Sequence, residues 1–342
     1  MDIKRKYNTT IGGVRKNLKL LYYLRGIMLM ATPHWWCSLR ARMLLDKAIK
    51  REDWNVIDSR ARYYMCLANN STQLPEGSPT LSQNTLRKPR LVNNSVYFFD
   101  TFEFTRCFNQ KLRWQVKTGD VNVNLAVPSI CKSRPVLNPD KGTCNVLLNM
   151  DKVRHFTFIN DPFPWCDKES KVLFRGDANG KPHRIKFIEM WADNDKCDLK
   201  VTDRKSVLSE KWQAKSPLAI YDHLKYRYIM ALEGNDVASN LKWVMSSNSI
   251  AVMPRPKFET WYMEGQLKPD YHYIEIADDY HDLLERIAYY DAHPKEAEAI
   301  IQHAHEWVSQ FMDKERETMI SLLVMQRYLD ATNGITNKTD NK

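Results

Sequence analysis

The sequence predicts an α/β protein, and two observations carry that prediction. From about residue 171 onward, short runs of apolar and β-branched residues alternate with stretches of helical periodicity, which is typical of a parallel sheet with crossover helices. The chain has 342 residues, of which 43% are hydrophobic and 27% are charged. This length and composition allow about two folded domains with ordinary hydrophobic cores.

The first half of the chain predicts a helical segment followed by a small sheet. Residues 1–68 mix apolar and basic positions and predict amphipathic helices, whereas residues 69–92 are rich in Asn, Ser, Thr and Pro and predict a long loop. Apolar runs bounded by Asp, Gly, Pro and Asn then predict short strands at residues 96–99, 112–116, 125–131 and 144–148.

The second half predicts alternating strands and helices and a helical C-terminus. Strands are predicted at residues 171–174, 226–232, 250–253 and 272–276, and helices at residues 182–191 and 237–245. Beyond residue 280 the apolar residues recur with the 3.6-residue period, and Pro294 suits the first turn of a helix. Residues 331–342 are polar and predict a disordered tail.

The positive charge of the chain is concentrated near its start. The formal net charge is +10, and residues 1–65 hold 14 Lys and Arg against 5 Asp and Glu, a net charge of +9. The aromatic residues Trp35 and Trp36 and the apolar run 18–24 lie among these cations. This composition favours a segment that lies on an anionic membrane surface. The alternative is a pair of ordinary amphipathic helices packed on a domain.

Missing motifs exclude several classes of site. The seven cysteines form no Cys-x-x-Cys pair, which favours reduced thiols in a cytoplasm over a zinc ribbon or a disulfide framework. His303 and His305 are two residues apart on a predicted helix, so they point to different faces and do not chelate one ion. Neither a Gly-x-Gly-x-x-Gly nor a Walker motif is present, and no apolar run reaches 18 residues. No metal site and no cofactor are therefore expected.

Two glycine turns are candidates for binding a phosphate. In the first, a predicted strand ends at Gly176 and a helix starts near residue 182, which places Arg175, Lys181 and Arg184 near the carboxyl end of a strand. In the second, a predicted strand runs into Gly234 and a helix begins at about residue 236. The first-turn amides of such a helix suit a phosphate group.

These residues also carry a family resemblance. The segments KVLFRGDANGKPHR and DHLKYRYIMALEGNDVASNLKWVMSSNSIAVMPRPKFETWYMEGQLKPDYHYIEI resemble glycosyltransferase family 90. Upstream, VYFFDTFEFTRCF, TGDV and CKSRP are similar to the bacterial lipopolysaccharide A branch of that family. The resemblance covers residues 95–310, and the motifs occur in the family's order.

The resemblance implies a GT-B architecture, in which two Rossmann-like domains face a cleft. The nucleotide-sugar domain would be residues 166–312. The acceptor domain would be residues 69–165, joined by a C-terminal helix at residues 314–330. Well understood members use UDP-sugars, invert the anomeric centre and need no metal. In the absence of a metal, backbone amides and cations must stabilise the departing diphosphate.

The resemblance also assigns donor-binding positions. Asp177 and Arg184 match the positions after Phe-Arg-Gly, although His183 is an alternative to Arg184 because this chain has one extra residue there. Eukaryotic members have Arg where this chain has Asn240, and Lys242 is a candidate replacement. Glu259 matches an acidic position that binds ribose hydroxyls, or it caps the start of a helix. The nucleotide-binding turn comprises Asn235, Asp236, Val237, Ala238, Ser239 and Asn240.

Inversion requires a carboxylate beside the acceptor hydroxyl as the general base. In the family this base lies in a turn after a strand of the acceptor domain. Asp120, which follows the predicted strand 112–116, is the best match, and Asp100, at the end of the predicted strand 96–99, is the alternative. Either carboxylate could instead cap a turn.

The sequence thus predicts an inverting, metal-independent transferase that moves a hexose from a UDP-sugar to a lipopolysaccharide or lipooligosaccharide core. Its expected partners are the donor, the lipid-anchored acceptor and an anionic membrane surface that contacts residues 1–65, at the cytoplasmic face of the inner membrane. Transfer to a capsule or another surface glycan is the alternative enzymatic function. A catalytically inactive membrane scaffold and a basic nucleic-acid-binding protein are the non-enzymatic alternatives, although the charge does not follow a groove as nucleic-acid binding requires.

Overall fold

The computed structural model describes residues 9–10, 13–14, 19–67, 72–86, 92, 95–138, 140–203 and 207–335. It confirms the predicted α/β class, because parallel sheets and α-helices are combined along the chain. The helices are α1 (Lys19–Ala31), α2 (His34–Ile49), α3 (Trp54–Tyr64), α4 (Ser95–Thr105), α5 (Lys152–His155), α6 (Pro182–Trp191), α7 (Ile220–His223), α8 (Leu241–Met245), α9 (Leu283–Ala292), α10 (Pro294–Ser309) and α11 (Lys314–Thr332).

The strands are mostly short, and the longest has eight residues. They are β1 (Thr9–Thr10), β2 (Gly13–Val14), β3 (Val116–Lys117), β4 (Ser129–Cys131), β5 (Ser133–Pro135), β6 (Asn145–Leu147), β7 (Glu169–Gly176), β8 (Cys197–Val201), β9 (Tyr226–Met230), β10 (Ile250–Met253), β11 (Phe258–Thr260) and β12 (Ile274–Glu275).

The described residues fall into two compact units, and the first of them is built on a five-stranded sheet. This five-strand unit comprises Arg154–Pro256 and Gln266–Gln310 together with β1 and β2. Its strands are ordered β12-β10-β9-β7-β8, and all neighbours are parallel. The chain moves from β7 to β8 on one side and then returns to β9 on the other. The gap between β7 and β9 is therefore the topological switch point, where open α/β sheets bind ligands.

Local sequence explains the helices that cover this sheet. Pro182 occupies the first position of α6, where its missing N–H costs no hydrogen bond, and Phe187 and Ile188 are buried in the core of the unit. The C-terminal helices follow the predicted period. In α10 the buried positions are Ala297, Ile300, Ile301, Ala304 and Val308.

The second unit is rich in helices. This helix-rich unit comprises the described residues within Leu18–Val153, Lys257–Gly265 and Phe311–Lys342. It contains a parallel sheet of order β3-β4-β6 and an antiparallel pair formed by β5 and β11, while α11 packs against α2 and α3. Asp313 caps α11 by accepting hydrogen bonds from the backbone amides of Glu315 and Arg316, both at 3.0 Å.

The two units divide the chain differently from the predicted domains. Helices α1–α3 belong to the helix-rich unit instead of forming a separate segment, and β1 and β2 lie in the region predicted as helical. Residues 257–265 also join the helix-rich unit, because β11 pairs with β5 from a distant part of the chain. None of the helices in the described residues combines the length and the apolar character needed to cross a bilayer.

Several predicted elements differ from the structure. Residues 96–99 are not a strand but the first turn of α4, because the apolar pattern continues beyond them and buries Phe98, Thr101 and Thr105 on one helical face. The helix predicted at residues 237–245 is limited to α8. The predicted strands at residues 125–131, 144–148 and 272–276 shorten to β4, β6 and β12. Of the predicted strand at residues 112–116, only the last residue lies in β3.

The predicted loop and tail are only partly described. Residues 72–80 have no regular helix or strand, and residues 81–83 form one turn of 3₁₀-helix. Helix α11 continues to Thr332, so the tail begins later than predicted. Residues 69–71 and 87–91 of the loop and residues 336–342 of the tail lie outside the described residues, as do residues 1–8, 11–12, 15–18 and 68 of the basic segment.

Candidate functional site

The two glycine turns lie side by side at the switch point of the five-strand unit. β7 ends at Gly176, and the neighbouring strand β9 leads into Leu232, Glu233 and Gly234. A Cβ atom placed on Gly234 would lie 3.5 Å from Nη2 of Arg184 and 3.9 Å from Cε of Lys181. The tertiary structure thus brings together two turns that are almost 60 residues apart in the sequence.

Arg184 joins these turns through backbone carbonyl groups. Its Nε donates to the carbonyl oxygen of Glu233 (2.9 Å), its Nη2 to that of Leu232 (2.6 Å) and its Nη1 to that of Asp177 (2.7 Å). Burial lowers the pKa of Arg184. A guanidinium has five N–H donors, so these three bonds leave two donors for a ligand. The residue predicted to bind the diphosphate therefore also holds the loop that surrounds the site.

Asp177, Lys181 and His183 surround the same turn. The carboxylate of Asp177 accepts from Nζ of Lys181 at 2.7 Å and from the amide of Asn179 at 3.0 Å. Partial burial raises the pKa of Asp177, but these hydrogen bonds outweigh it and hold the pKa below its usual value. Nε2 of His183 lies 2.9 Å from the carbonyl oxygen of Glu233. The loop thus places Lys181, paired with the half-exposed carboxylate of Asp177, beside Arg184 at the switch point.

Arg175 does not converge with this group. Its Nη2 forms an ion pair with Asp198 at 2.7 Å, and its Nη1 donates to the carbonyl oxygen of the same residue at 2.7 Å. Asp198 lies on β8, which neighbours β7 on the side away from β9. The charge of Arg175 is therefore neutralised by Asp198 within the sheet.

The turn from Asn235 to Asn240 follows β9 directly. The amide of Gly234 donates to the carbonyl oxygen of Asp236 (2.8 Å), and Nδ2 of Asn240 donates to that of Met230 (2.9 Å). Asn235 and Ser239 are exposed, whereas Asp236, Val237 and Ala238 are buried. Lys242 was predicted to replace a family arginine, but its side chain is fully enclosed within the unit. It has no surface open to a ligand in this structure, and its contact with the diphosphate stays a prediction.

Glu259 lies in different surroundings from those that the resemblance implied. It lies on β11 of the helix-rich unit and not at the start of a helix, and its side chain is completely buried. Its carboxylate accepts from Nε of Arg134 at 2.7 Å, from the amide of Leu137 at 3.3 Å and from the hydroxyl of Tyr63. A buried carboxylate engaged by three donors is not available to ribose, because β-pairing with β5 encloses it.

Asp120 lies in the turn after β3, at the carboxyl edge of the parallel sheet in the helix-rich unit. Gly119, with φ +94°, makes the turn, and the amide of Val121 donates to the hydroxyl of Ser133 at 2.9 Å. Nζ of Lys132, which directly follows β4, donates to the Asp120 carboxylate at 2.5 Å. The Lys132 side chain is 1% exposed, whereas that of Asp120 is 30% exposed. A buried cation therefore fixes a carboxylate that solvent can reach.

Asp100 lies in the middle of α4 and not at the end of a strand. Its carboxylate accepts from the hydroxyl of Tyr22 at 3.0 Å and from the amide of Lys152 at 3.3 Å, while Nζ of Lys152 is 3.6 Å away and bonded to Glu103. Burial raises the pKa of Asp100 to about 6. Asp100 is enclosed, so an acceptor hydroxyl cannot approach it in this structure.

Sequence reasoning missed Lys132. The signal was present in the CKSRP segment, which was used for the family resemblance without a role for its lysine. The partnership with Asp120 becomes visible only when β3 and β4 pair in parallel and bring both residues to one edge. Among the described residues, no group of three His, Cys, Asp or Glu side chains is arranged to hold a metal ion.

Comparison with known proteins gives the family. The profile of glycosyl transferase family 90 matches residues 146–333. The O-glucosyltransferase LpsA of Dichelobacter nodosus is 36% identical over 312 residues, which cover 91% of this chain and 95% of that protein. Protein O-glucosyltransferase 3 of Homo sapiens is 23% identical over 211 residues, which cover 60% of this chain and 40% of the human protein.

These matches confirm the resemblance read from the sequence. The family profile covers more than half of the chain, including both glycine turns, and the bacterial relative aligns over nearly its whole length. The chain therefore belongs to glycosyl transferase family 90 and is a glycosyltransferase.

Proposed function

We propose that this enzyme transfers glucose from UDP-glucose to a hydroxyl of a lipopolysaccharide or lipooligosaccharide core, with inversion and without a metal ion. The name of its bacterial relative, O-glucosyltransferase LpsA, supports both the sugar and the lipopolysaccharide acceptor. The observation that carries the proposal is the meeting of the two glycine turns beside Arg184 at the switch point. Such points are where open α/β sheets bind nucleotides.

The donor diphosphate would bind at this switch point. Lys181 and the two remaining donors of Arg184 supply positive charge, and the turn from Asn235 to Asn240 supplies backbone amides. Charge develops on the diphosphate as its bond to the sugar breaks, so these groups would stabilise the transition state more than the bound donor. As in GT-B enzymes, we propose that the five-strand unit binds the donor and that the helix-rich unit binds the acceptor.

Asp120 would act as the general base. Its carboxylate takes the proton of the acceptor hydroxyl while that oxygen bonds to the anomeric carbon. The bond between this carbon and the diphosphate oxygen breaks, and UDP leaves with the electron pair. The exposure of Asp120 and its fixation by Lys132 support this role, because a base must lie within hydrogen-bond reach of the proton it removes.

A transfer assay tests the proposal. Purified enzyme is supplied with UDP-glucose, UDP-galactose, UDP-xylose or their N-acetyl analogues, and with delipidated core oligosaccharide or capsule glycan as acceptor. We expect product from UDP-glucose and core oligosaccharide, a β-linkage by NMR, and full activity in EDTA. An α-linked product would contradict inversion, and loss of activity in EDTA would contradict metal independence. Preference for the capsule glycan would support the alternative acceptor.

The donor site is best tested at Lys181. Arg184→Ala would also remove three bonds to backbone carbonyls, so loss of donor binding could follow from disorder of the loop. Lys181→Ala removes one cation at the switch point, directly before α6, and Lys186→Ala removes one exposed cation from α6. We expect Kd for UDP to rise about tenfold in the first variant only, the scale of one charge-assisted hydrogen bond. Equal effects of both variants would contradict the assignment.

A further inference from the structure

Helices α1 and α2 carry an unusually apolar surface. More than half of the large hydrophobic side chains that are exposed in the described chain lie between residues 20 and 49. Met28 is 73% exposed, Leu20 is 69% exposed and Trp35 is 67% exposed. Exposed apolar side chains concentrated in this way mark an interaction surface, and with basic neighbours they are typical of helices that lie in a lipid headgroup layer.

A cleft lined with arginine opens beside this surface. It lies among α1, α2, α4 and α11 within the helix-rich unit, and Arg25, Arg40 and Arg106 line it together with Trp36 and Glu103. The cavity volume is about 60 Å³. A cavity of about 10–15 Å³ holds one buried water molecule. The cleft therefore admits a group of several atoms, such as a phosphate.

Arg106 has hydrogen-bond donors that the protein does not use. The residue is 6% exposed, its Nη2 donates to the carbonyl oxygen of Thr32, and its Cζ lies 5.0 Å from the centre of the Phe102 ring. Its Nε and Nη1 are buried and donate to no atom of the described residues. Buried donors of a charged group are costly when unpaired, so these two indicate an acceptor that comes from outside the protein.

The charge of the cleft favours an anion. Its carboxylate, Glu103, is neutralised by Arg25 at 2.6 Å and by Lys152 at 2.7 Å. Burial raises the pKa of Glu103, but these cations outweigh it and hold the pKa below its usual value, so the group stays ionised. Arg40 is exposed, lies over the Trp36 ring at 5.9 Å and donates no hydrogen bond to a described residue. The charges of Arg40 and Arg106 therefore remain for a ligand.

We propose that this cleft binds the phosphate of an anionic membrane lipid while the exposed apolar residues of α1 and α2 enter the adjoining acyl region. Guanidinium groups donate charge-assisted hydrogen bonds to phosphate oxygens, which matches the two unused donors of Arg106. The sequence predicted a general attraction between residues 1–65 and acidic lipid. This proposal assigns instead one headgroup-binding site that is formed by defined side chains. It does not depend on which sugar the enzyme transfers.

Vesicle binding with two matched variants tests the site. Arg40→Gln and Arg42→Gln each remove one exposed cation from α2, and only Arg40 lines the cleft. On phosphatidylcholine vesicles containing phosphatidylglycerol, we expect Arg42→Gln to weaken binding about fivefold, the value of one general surface charge. Arg40→Gln should weaken binding about tenfold further, because a charge-assisted hydrogen bond is also lost. Equal losses in the two variants would overturn the headgroup site.

A second arm separates a lipid from a free phosphate. Glycerol phosphate at constant ionic strength should not displace the enzyme from the vesicles, because it lacks the acyl chains that the apolar face contacts. Displacement at low concentration would mean that the cleft is a site for a soluble phosphate and would overturn the lipid assignment. Arg106→Gln should reduce vesicle binding with an unchanged melting temperature. If Arg106→Gln unfolds the protein, the comparison of Arg40→Gln with Arg42→Gln is the test of the headgroup site.

Insertion of the apolar face is measured with brominated lipid. Bromine in the acyl chains quenches tryptophan that enters the bilayer, so quenching should fall when Trp35 and Trp36 are replaced by Phe. Unchanged quenching would show that these helices do not enter the acyl region. Transfer to a soluble core oligosaccharide should be the same in Arg40→Gln as in the unaltered enzyme, so failure of this proposal is distinguishable from failure of the proposed function.

Discussion

Asp120 and Asp100 are two aspartates of the helix-rich unit with opposite surroundings. Asp120 follows a strand, is 30% exposed and accepts from a buried lysine. Asp100 lies within α4, is enclosed by Tyr22 and Lys152, and has a pKa raised to about 6 by burial. The lysine near Asp100 is bonded to Glu103 at 2.7 Å and lies 3.6 Å from Asp100, so it compensates the burial only in part.

The proposed role of Asp120 as the base depends on the combination of a fixed cation and an open side. Asp120 has both, whereas Asp100 and the buried Glu259 have partners but no open side. If this distinction is correct, substitution of Asp120 should affect catalysis, and substitution of the other two should affect stability.

The largest expected effect is on catalysis at Asp120. The amide in Asp120→Asn is nearly isosteric with the carboxylate but does not accept the proton of the acceptor. We expect kcat to fall by about 10²-fold or more, with Kd for UDP within a few-fold of its original value. Steady-state kinetics and calorimetric titration of UDP measure the two quantities. If Asp100→Asn loses activity while Asp120→Asn keeps it, the assignment of the base is reversed.

The next effect is on stability at Glu259. Glu259→Gln leaves Arg134 charged and fully buried without its counter-ion, so the free energy of unfolding should fall by about 3–5 kcal/mol. Urea unfolding measures this, with Asp46→Asn, which alters an exposed carboxylate of α2, as a control that should change stability much less. A variant with normal stability and weakened UDP binding would restore the original prediction that Glu259 contacts the ribose.

Asp100 should make stability depend on pH. Its pKa is about 6 in the folded state and about 3.9 in an unfolded chain, so the folded state binds its proton more tightly. Proton binding by Asp100 therefore contributes fully to the free energy of unfolding below pH about 4. This contribution, about 2–3 kcal/mol in total, is lost as the pH rises through about 6. As the pH rises over this range, the free energy of unfolding measured by urea titration should fall less in Asp100→Asn than in the original protein.

An exposed aspartate provides the control for this pH effect. Asp46→Asn alters an exposed carboxylate of α2, and its stability should follow the pH dependence of the original protein. A common pH dependence in all three proteins would mean that Asp100 is not enclosed in solution.

The smallest effect is expected at Lys132, which we regard as a positioning residue. Lys132→Met keeps the length and apolar stem of the side chain but removes the hydrogen bond to Asp120. We expect kcat to fall about tenfold with an unchanged KM for the donor, because the carboxylate remains but loses its fixed orientation. A loss as large as that of Asp120→Asn would indicate that Lys132 contributes directly to the reaction.

Much of the five-strand unit was predictable from local pattern. The helix at residues 182–191 and the strand at residues 250–253 were predicted at their observed bounds, because Pro182 marks a helix start and the strand is a continuous apolar run. The helix-rich unit was less predictable. Its strands have only two or three residues, and the apolar run at residues 96–99 fits a helix as well as a strand.

The sequence by itself determined the fold class, the family and the two glycine turns, because hydrophobic periodicity and turn residues act over a few neighbouring positions. Only the tertiary structure decided which charges are available. Glu259 meets Arg134 across 125 positions, Lys132 reaches Asp120 through a parallel strand pair, and both contacts depend on which segments pack together. Burial and ion pairing set the chemistry of a charged side chain, and both are properties of the folded chain.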